Sequence, residues 1–290
     1  MKANTMLETI RSLLGTPACA IPLSLCKQAK SYLLEKAGIP VTGTAVLFAI
    51  PYVMTADVQD PNRNVSLYAV PRDYHGYMQN LSATLLPCLF ETFPDFRFAL
   101  FADHSPIMEV DAAARAGLGV WGLNRLLITP TYGSFVFLGE VVTDADYETV
   151  TGRLVPDFPA LPPLCEGCGA CLAACPADCC GSAREGCLSA LTQKKGELTE
   201  DEISAIKRGG LVWGCDTCQL ACPHNRRVIQ EGVDTPVPYF REGRLIHLDT
   251  AALDAMDNVD FAHRAYAWRG RAVIRRNTEL LDESNERRSP

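Results

Sequence analysis

Seven of the 13 cysteines in this 290-residue chain fall into two runs whose spacing suits inorganic clusters. The first, CEGCGACLAACP, sets Cys165, Cys168, Cys171 and Cys175 at C-x2-C-x2-C-x3-C, with Pro176 behind them. The second, GCDTCQLACPHN, repeats the tail of that pattern with Cys215, Cys218, Cys222 and Pro223. Short spacers let three thiolates hold one [4Fe–4S] cube, while the fourth reaches a neighbouring cube. The swap assigns Cys165, Cys168, Cys171 and the crossing Cys222 to one cube. It assigns Cys215, Cys218 and the crossing Cys175 to the other. Two cubes need eight thiolates, so one more must come from Cys179, Cys180 or Cys187, between the runs. Structural zinc favours paired C-x2-C knuckles, and the x3 spacer before Cys-Pro, present twice, argues against it. A disulfide framework belongs to small secreted chains, and nothing here reads as secreted.

The elements that must position these thiols come from the rest of the chain. Hydrophobic residues make up 48%, enough for substantial cores in one large or two modest domains. The formal charge of -7 gives no basic surface overall, although Arg269, Arg271, Arg275 and Arg276 cluster near the C-terminus at helical spacings. Such a cluster is either a solvated face or a phosphate contact. The start, MKANTMLETIRSLLG, lacks a signal-peptide apolar core, and the longest apolar run, TAVLFAIPYVM, is too short to span a bilayer. The expectation is a soluble cytoplasmic protein in a reducing compartment.

Periodicity predicts helices over 5–14 and 24–37, a buried strand over 44–52 and a helix carrying Leu81, Leu85, Leu86 and Leu89 on one face. A strand over 96–102 delivers Asp103 at its end, and a helix over 107–116 and a strand over 135–143 follow. Residues 151–163 carry four prolines and read as a linker. Beyond it, helices are expected over 199–208, 249–257 and 259–282. The pattern predicts an α+β domain over 1–155, a two-cluster module over 156–230 and a short helical tail over 231–290.

Four blocks, in order, carry a resemblance. ADHSPIMEVDAAARAGLGVWGLNRLLITPTYGSFVFLGEVVTD resembles the core block of the epoxyqueuosine reductases, enzymes of queuosine tRNA modification. SLYAVPRDYH is similar to that family's Y-A-x-G-x-D-Y-H block, with Pro71 where glycine is usual. CLSALTQKKGELTEDE resembles its C-I-S-Y-L-T stretch, and GCDTCQLACPHN its closing motif. Family members continue into helical repeats that help grip tRNA; WRGRAVIRRNTELL resembles the first of those helices, so a short form is expected.

The resemblance implies a nitroreductase-like mixed sheet flanked by helices, with cobalamin held base-off over it and a ferredoxin-like module beside it. It implies Cys187 as the eighth thiolate, tRNA as substrate partner and a low-potential electron donor such as a flavodoxin or ferredoxin. Asp103 is the implied general acid, its pKa raised by desolvation. By itself an aspartate at a strand end reads as a turn or helix cap. His104 stands where the family has a hydroxyl. Asp73, Tyr74, His75, Gly117, Gly119, Gly122 and Ser134 are the implied cobalamin contacts, the glycines allowing close backbone approach. Asp73 and His75 do not complete a D-x-H-x-x-G cobalt-ligand motif, because the glycine falls at position 76. Two alternatives stay open: a corrinoid reductase of a small molecule, and a plain two-cluster electron carrier.

Overall fold

The computed structural model describes residues 4–182 and 186–286, and the chain divides into two compact units. The first comprises Met1–Ile50 and Tyr77–Gly167; the second comprises Pro51–Gly76 and Cys168–Pro290. No helix among the described residues is long and apolar enough to cross a membrane.

The first unit is built on a four-stranded sheet. Its strands are β1 (Ala18–Pro22), β2 (Thr44–Pro51), β3 (Phe98–Phe101) and, after the short β4 (Val120–Trp121) and β5 (Leu127–Ile128), β6 (Val136–Thr143). The order is β1-β2-β6-β3, with β1 antiparallel to β2 and β3 antiparallel to β6. Every residue of β2 is buried, as its unbroken apolar run requires of a strand covered on both faces. The helix Met6–Leu14 starts at a capping box between Thr5 and Glu8 and stops at Gly15 in the left-handed region. Ile21, Leu34, Leu47, Ile107, Ala113 and Val142 belong to one apolar core.

The predicted helix over 24–37 forms only at Tyr32–Ala37. Residues 27–29 are instead drawn straight by backbone bonds from Met108 N to Lys27 O and from Ala29 N to Pro106 O. Long-range pairing overrides the local helical spacing here. β4 and β5, in the glycine-rich stretch, form an antiparallel pair that periodicity did not signal.

The second unit is mostly helical and packs around Trp213, Tyr266, Ile206, Leu248 and Ile274. Residues 51–76 belong to it. Val65 sits in its core, the Asn64 side chain bonds both N–H and C=O of Leu248, and Ser66 N–H donates to Trp213 O. The stretch after residue 231 shares the same core. By its contacts the chain thus forms two units, each drawn from separate stretches of sequence. The predicted helix over 259–282 is broken at Gly270 (φ 88°) into Asn258–Ala262, a 3-10 turn and Arg271–Glu286.

Candidate functional site

In the first unit, β3 ends at Phe101 and the chain turns sharply, placing Asp103 at φ 62°. Few residues besides glycine tolerate that left-handed conformation, and aspartate is one of them. The Asp103 N–H donates to Glu109 Oε1 at 3.2 Å, across the turn that leads into the helix Glu109–Arg115. Asp103 itself is exposed, so the chain does not supply the desolvation expected there. Burial falls on its neighbours instead. It pushes Glu109 up to about 7 against the opposing Asp103 amide, and holds Glu140 of β6 well above the usual carboxylate range, with Glu109 adding to the effect. Ser105 Oγ lies 2.5 Å from Glu140 Oε1. Neither glutamate was singled out from the sequence, although a charged residue inside the apolar run FVFLGEVVT was an available signal.

His104 turns to other partners. Its Nδ1 lies 2.9 Å from Lys30 Nζ and its Nε2 2.9 Å from the Tyr32 hydroxyl. An ammonium can only donate, so Nδ1 accepts and Nε2 carries the proton that Tyr32 receives.

Of the remaining candidates in this unit, Gly119 and Gly122 answer to the chain itself. A Cβ on Gly119 would meet Ile128 O at 2.4 Å, and one on Gly122 would meet Asn124 Oδ1 at 2.4 Å. Gly117 (φ 88°) has open space where a Cβ would stand, and Ser134 is buried just before β6. Asp73, Tyr74 and His75 lie in the second unit. Asp73 Oδ1 accepts from His75 N–H at 3.2 Å and lies 3.0 Å from His75 Nδ1, while the Tyr74 and His75 rings sit 4.1 Å apart. Contacts within the chain thus account for Gly119 and Gly122.

The two cysteine runs meet in the second unit through packing of the helices Ala170–Ala173 and Thr217–Ala221. Burial raises the Cys218 thiol, and Cys180, Cys215 and Cys187 raise it further. Burial also raises Cys222, with smaller contributions from Cys168 and Cys171. Cys175 Sγ lies 3.8 Å from Cys179 Sγ. Thiols that disfavour one another's ionisation become compatible thiolates only around a cationic core, which is the donor chemistry an iron–sulfur cluster requires. Among the described residues, no three His, Cys, Asp or Glu side chains close around a single-ion position. Cys165, in the first unit, donates its N–H to Trp121 O of β4.

The arginine cluster is largely committed within its own unit. Arg271 donates to the carbonyls of Leu253, Met256 and Asp257, and Arg276 to those of Lys194 and Gly196. Arg275 pairs with Asp254, and Arg269 stacks on Trp268.

Residues 164–225 match the 4Fe-4S double cluster binding domain family, so the chain carries an iron–sulfur domain. The epoxyqueuosine reductase of Listeria monocytogenes is 34% identical over 220 residues, covering 72% of this chain and 54% of that protein. That of Lactococcus garvieae is 32% identical over 227 residues, covering 74% and 60%. Among solved structures, the Streptococcus thermophilus epoxyqueuosine reductase superposes with a TM-score of 0.75 at 22% identity over 97% of this chain and 81% of that one. An epoxyqueuosine reductase with an epoxyqueuosine-modified tRNA-Tyr stem loop gives 0.69 at 25% identity over 95% and 79%. This chain spans about half the length of the curated relatives it matches. Over that shared portion it belongs to the epoxyqueuosine reductase family.

Proposed function

We propose that this chain is an oxidoreductase that converts epoxyqueuosine in tRNA to queuosine. The reaction consumes two electrons and two protons. Both carbon–oxygen bonds of the epoxide break, a carbon–carbon double bond forms, and the oxygen leaves as water. The observation that carries this reading is the 34% identity with an epoxyqueuosine reductase over 220 residues. The double-cluster domain supports it, because a cluster passes electrons singly from a low-potential donor such as a flavodoxin or ferredoxin.

Cobalamin, bound at a nitroreductase-like sheet, would supply a two-electron reductant. Within the first unit, Gly117, with open space where a Cβ would stand, and the buried Ser134 are the residues offered to hold it. Asp103 then acts as the proton donor. Covered by substrate, its carboxyl would lose water, which favours the protonated form the leaving oxygen needs. Cys165, Cys168, Cys171 and Cys222 hold one cluster; Cys175, Cys187, Cys215 and Cys218 hold the other.

The test is anaerobic reconstitution with iron, sulfide and cobalamin, followed by a chemical reductant and an epoxyqueuosine-bearing tRNA stem loop. Mass spectrometry of the digested RNA should show loss of one oxygen. A protein with full iron and bound cobalamin that leaves the nucleoside unchanged would overturn the proposal. Cluster content without cobalamin binding would favour an electron carrier.

A further inference from the structure

Ser105 has one proton and two lone pairs to place. Ile107 N–H donates to its Oγ at 3.1 Å, and the Oγ donates to Ile107 O at 2.9 Å. Those bonds use the proton and one lone pair. Glu140 Oε1 lies 2.5 Å from the same Oγ, whose single proton cannot serve both this oxygen and Ile107 O. An oxygen in that place must bring its own proton. The alternative, Ser105 donating to a Glu140 carboxylate, strips Ile107 O of this donor. It also sets a bare charge on a fully buried strand residue beside Glu109.

Glu140 Oε2 is buried without a hydrogen-bond donor, while its carboxyl interacts with that of Glu109. Glu109 in turn accepts the Asp103 amide, at a residue held in the left-handed region. A charged acceptor makes the stronger bond to an amide, and two charged carboxylates side by side would repel.

We propose that Glu109 is a positioning residue that latches the Asp103 amide, and that Glu140, a carboxylic acid bonded to Ser105, is the neutral partner that lets Glu109 carry the charge. The proposal rests on the reading of Asp103 as proton donor. The direction of the shifts agrees with it: burial raises both carboxyls, the contact with Glu140 lowers Glu109, and Glu109 raises Glu140. The groups around the pair are few. Asp103 opposes ionisation of Glu109 and Lys30 favours it. Ser105 and Glu109 face Glu140, and the Cys26 thiol senses it together with Arg115 and Asp111. Asp111 is itself paired with Lys27 at 2.8 Å.

The experiment uses the reconstituted full chain and three readouts on wild type, Glu109→Gln, Glu140→Gln and Asp103→Asn. Infrared difference spectra above neutral pH should show a protonated carboxyl band that Glu140→Gln removes. The nitrogen-15 resonance of the Asp103 amide should titrate near neutrality in wild type and lose that titration in Glu109→Gln. Glu109→Gln should lower kcat by about tenfold to a hundredfold with little change in KM, the scale expected for a misplaced catalytic group. The proposal is overturned if Glu140→Gln removes no such band, or if the Asp103 resonance ignores Glu109→Gln. Normal turnover in Asp103→Asn would instead remove the proton-donor reading, while the two spectroscopic signals still decide whether the latch exists.

Discussion

Arg63 and Asp216 form an ion pair of 2.7 Å between positions 153 residues apart in the sequence. Both side chains are almost wholly enclosed, and the Asp216 carboxyl also accepts the Leu67 N–H. The pair ties residues 51–76 to the loop that presents Cys215 and Cys218.

Removing one partner of such a pair leaves the other charge buried and unmatched. Arg63→Ala is expected to cost about 3–5 kcal/mol, measured by anaerobic denaturant unfolding. Burial already raises the Asp216 pKa above 3.8, with Arg63 opposing the rise. Without Arg63 the folded state binds that proton more tightly still. The deficit should therefore be smallest in acid and grow as pH rises above 3.8. A deficit that shrinks with rising pH would contradict this account.

Glu109 sets a second pH window. Its folded value is raised by burial from the ordinary 4.5 to about 7, so its proton stabilises the fold below 4.5. That contribution is lost as pH climbs to about 7 and is constant above. Unfolding free energies of wild type and Glu109→Gln should diverge across this interval and run parallel beyond it. Parallel curves throughout would place the titration elsewhere.

Asp103→Asn should keep iron content and cobalamin binding, yet lower turnover by about a hundredfold or more, the scale for losing a positioned general acid. His104→Ser should change turnover only a few-fold, since His104 is engaged by Lys30 and Tyr32. Single-turnover assays on the two variants separate the roles, and a reversed order would assign the acid to His104.

Cys187→Ala should lose roughly half of the iron, because each cube needs four thiolates. Cys180 also acts on Cys218, which makes Cys180→Ala the necessary comparison. Iron analysis showing the loss in Cys180→Ala and not in Cys187→Ala would exchange their roles.

Gly119→Ala pushes a methyl against Ile128 O, which is backbone and cannot swing away. A loss of about 1–3 kcal/mol is expected from overpacking, read as a lower melting temperature. Gly117→Ala meets no atom, so its cost is the left-handed backbone alone, about 1–2 kcal/mol.

What the sequence made legible was local. The cysteine spacings named the iron–sulfur domain, because a C-x2-C-x2-C run encodes its ligand geometry within a few residues. The core strands β2 and β6 were equally plain, since continuous apolar runs have few other uses. What stayed hidden depends on distant partners. Residues 24–31 look helical until Pro106–Met108 compete for the backbone of Lys27–Lys30. Asp103 looked like the buried carboxyl, and only the packing of β3 beside β6 transfers that burial to Glu109 and Glu140. The arginines near the C-terminus read as a surface cluster until their carbonyl partners, far back in the chain, appear.

The split second unit has a consequence for biosynthesis. Its core joins Val65 to Trp213, Tyr266, Ile274 and Leu281. During synthesis the ribosome therefore delivers both cysteine runs, ending at Cys222, before the segments that close that core. Contacts separated by so much sequence form late, because the intervening loop must lose its freedom first. The thiols are thus reachable while the chain is still unfinished, and metal loading can precede the final packing.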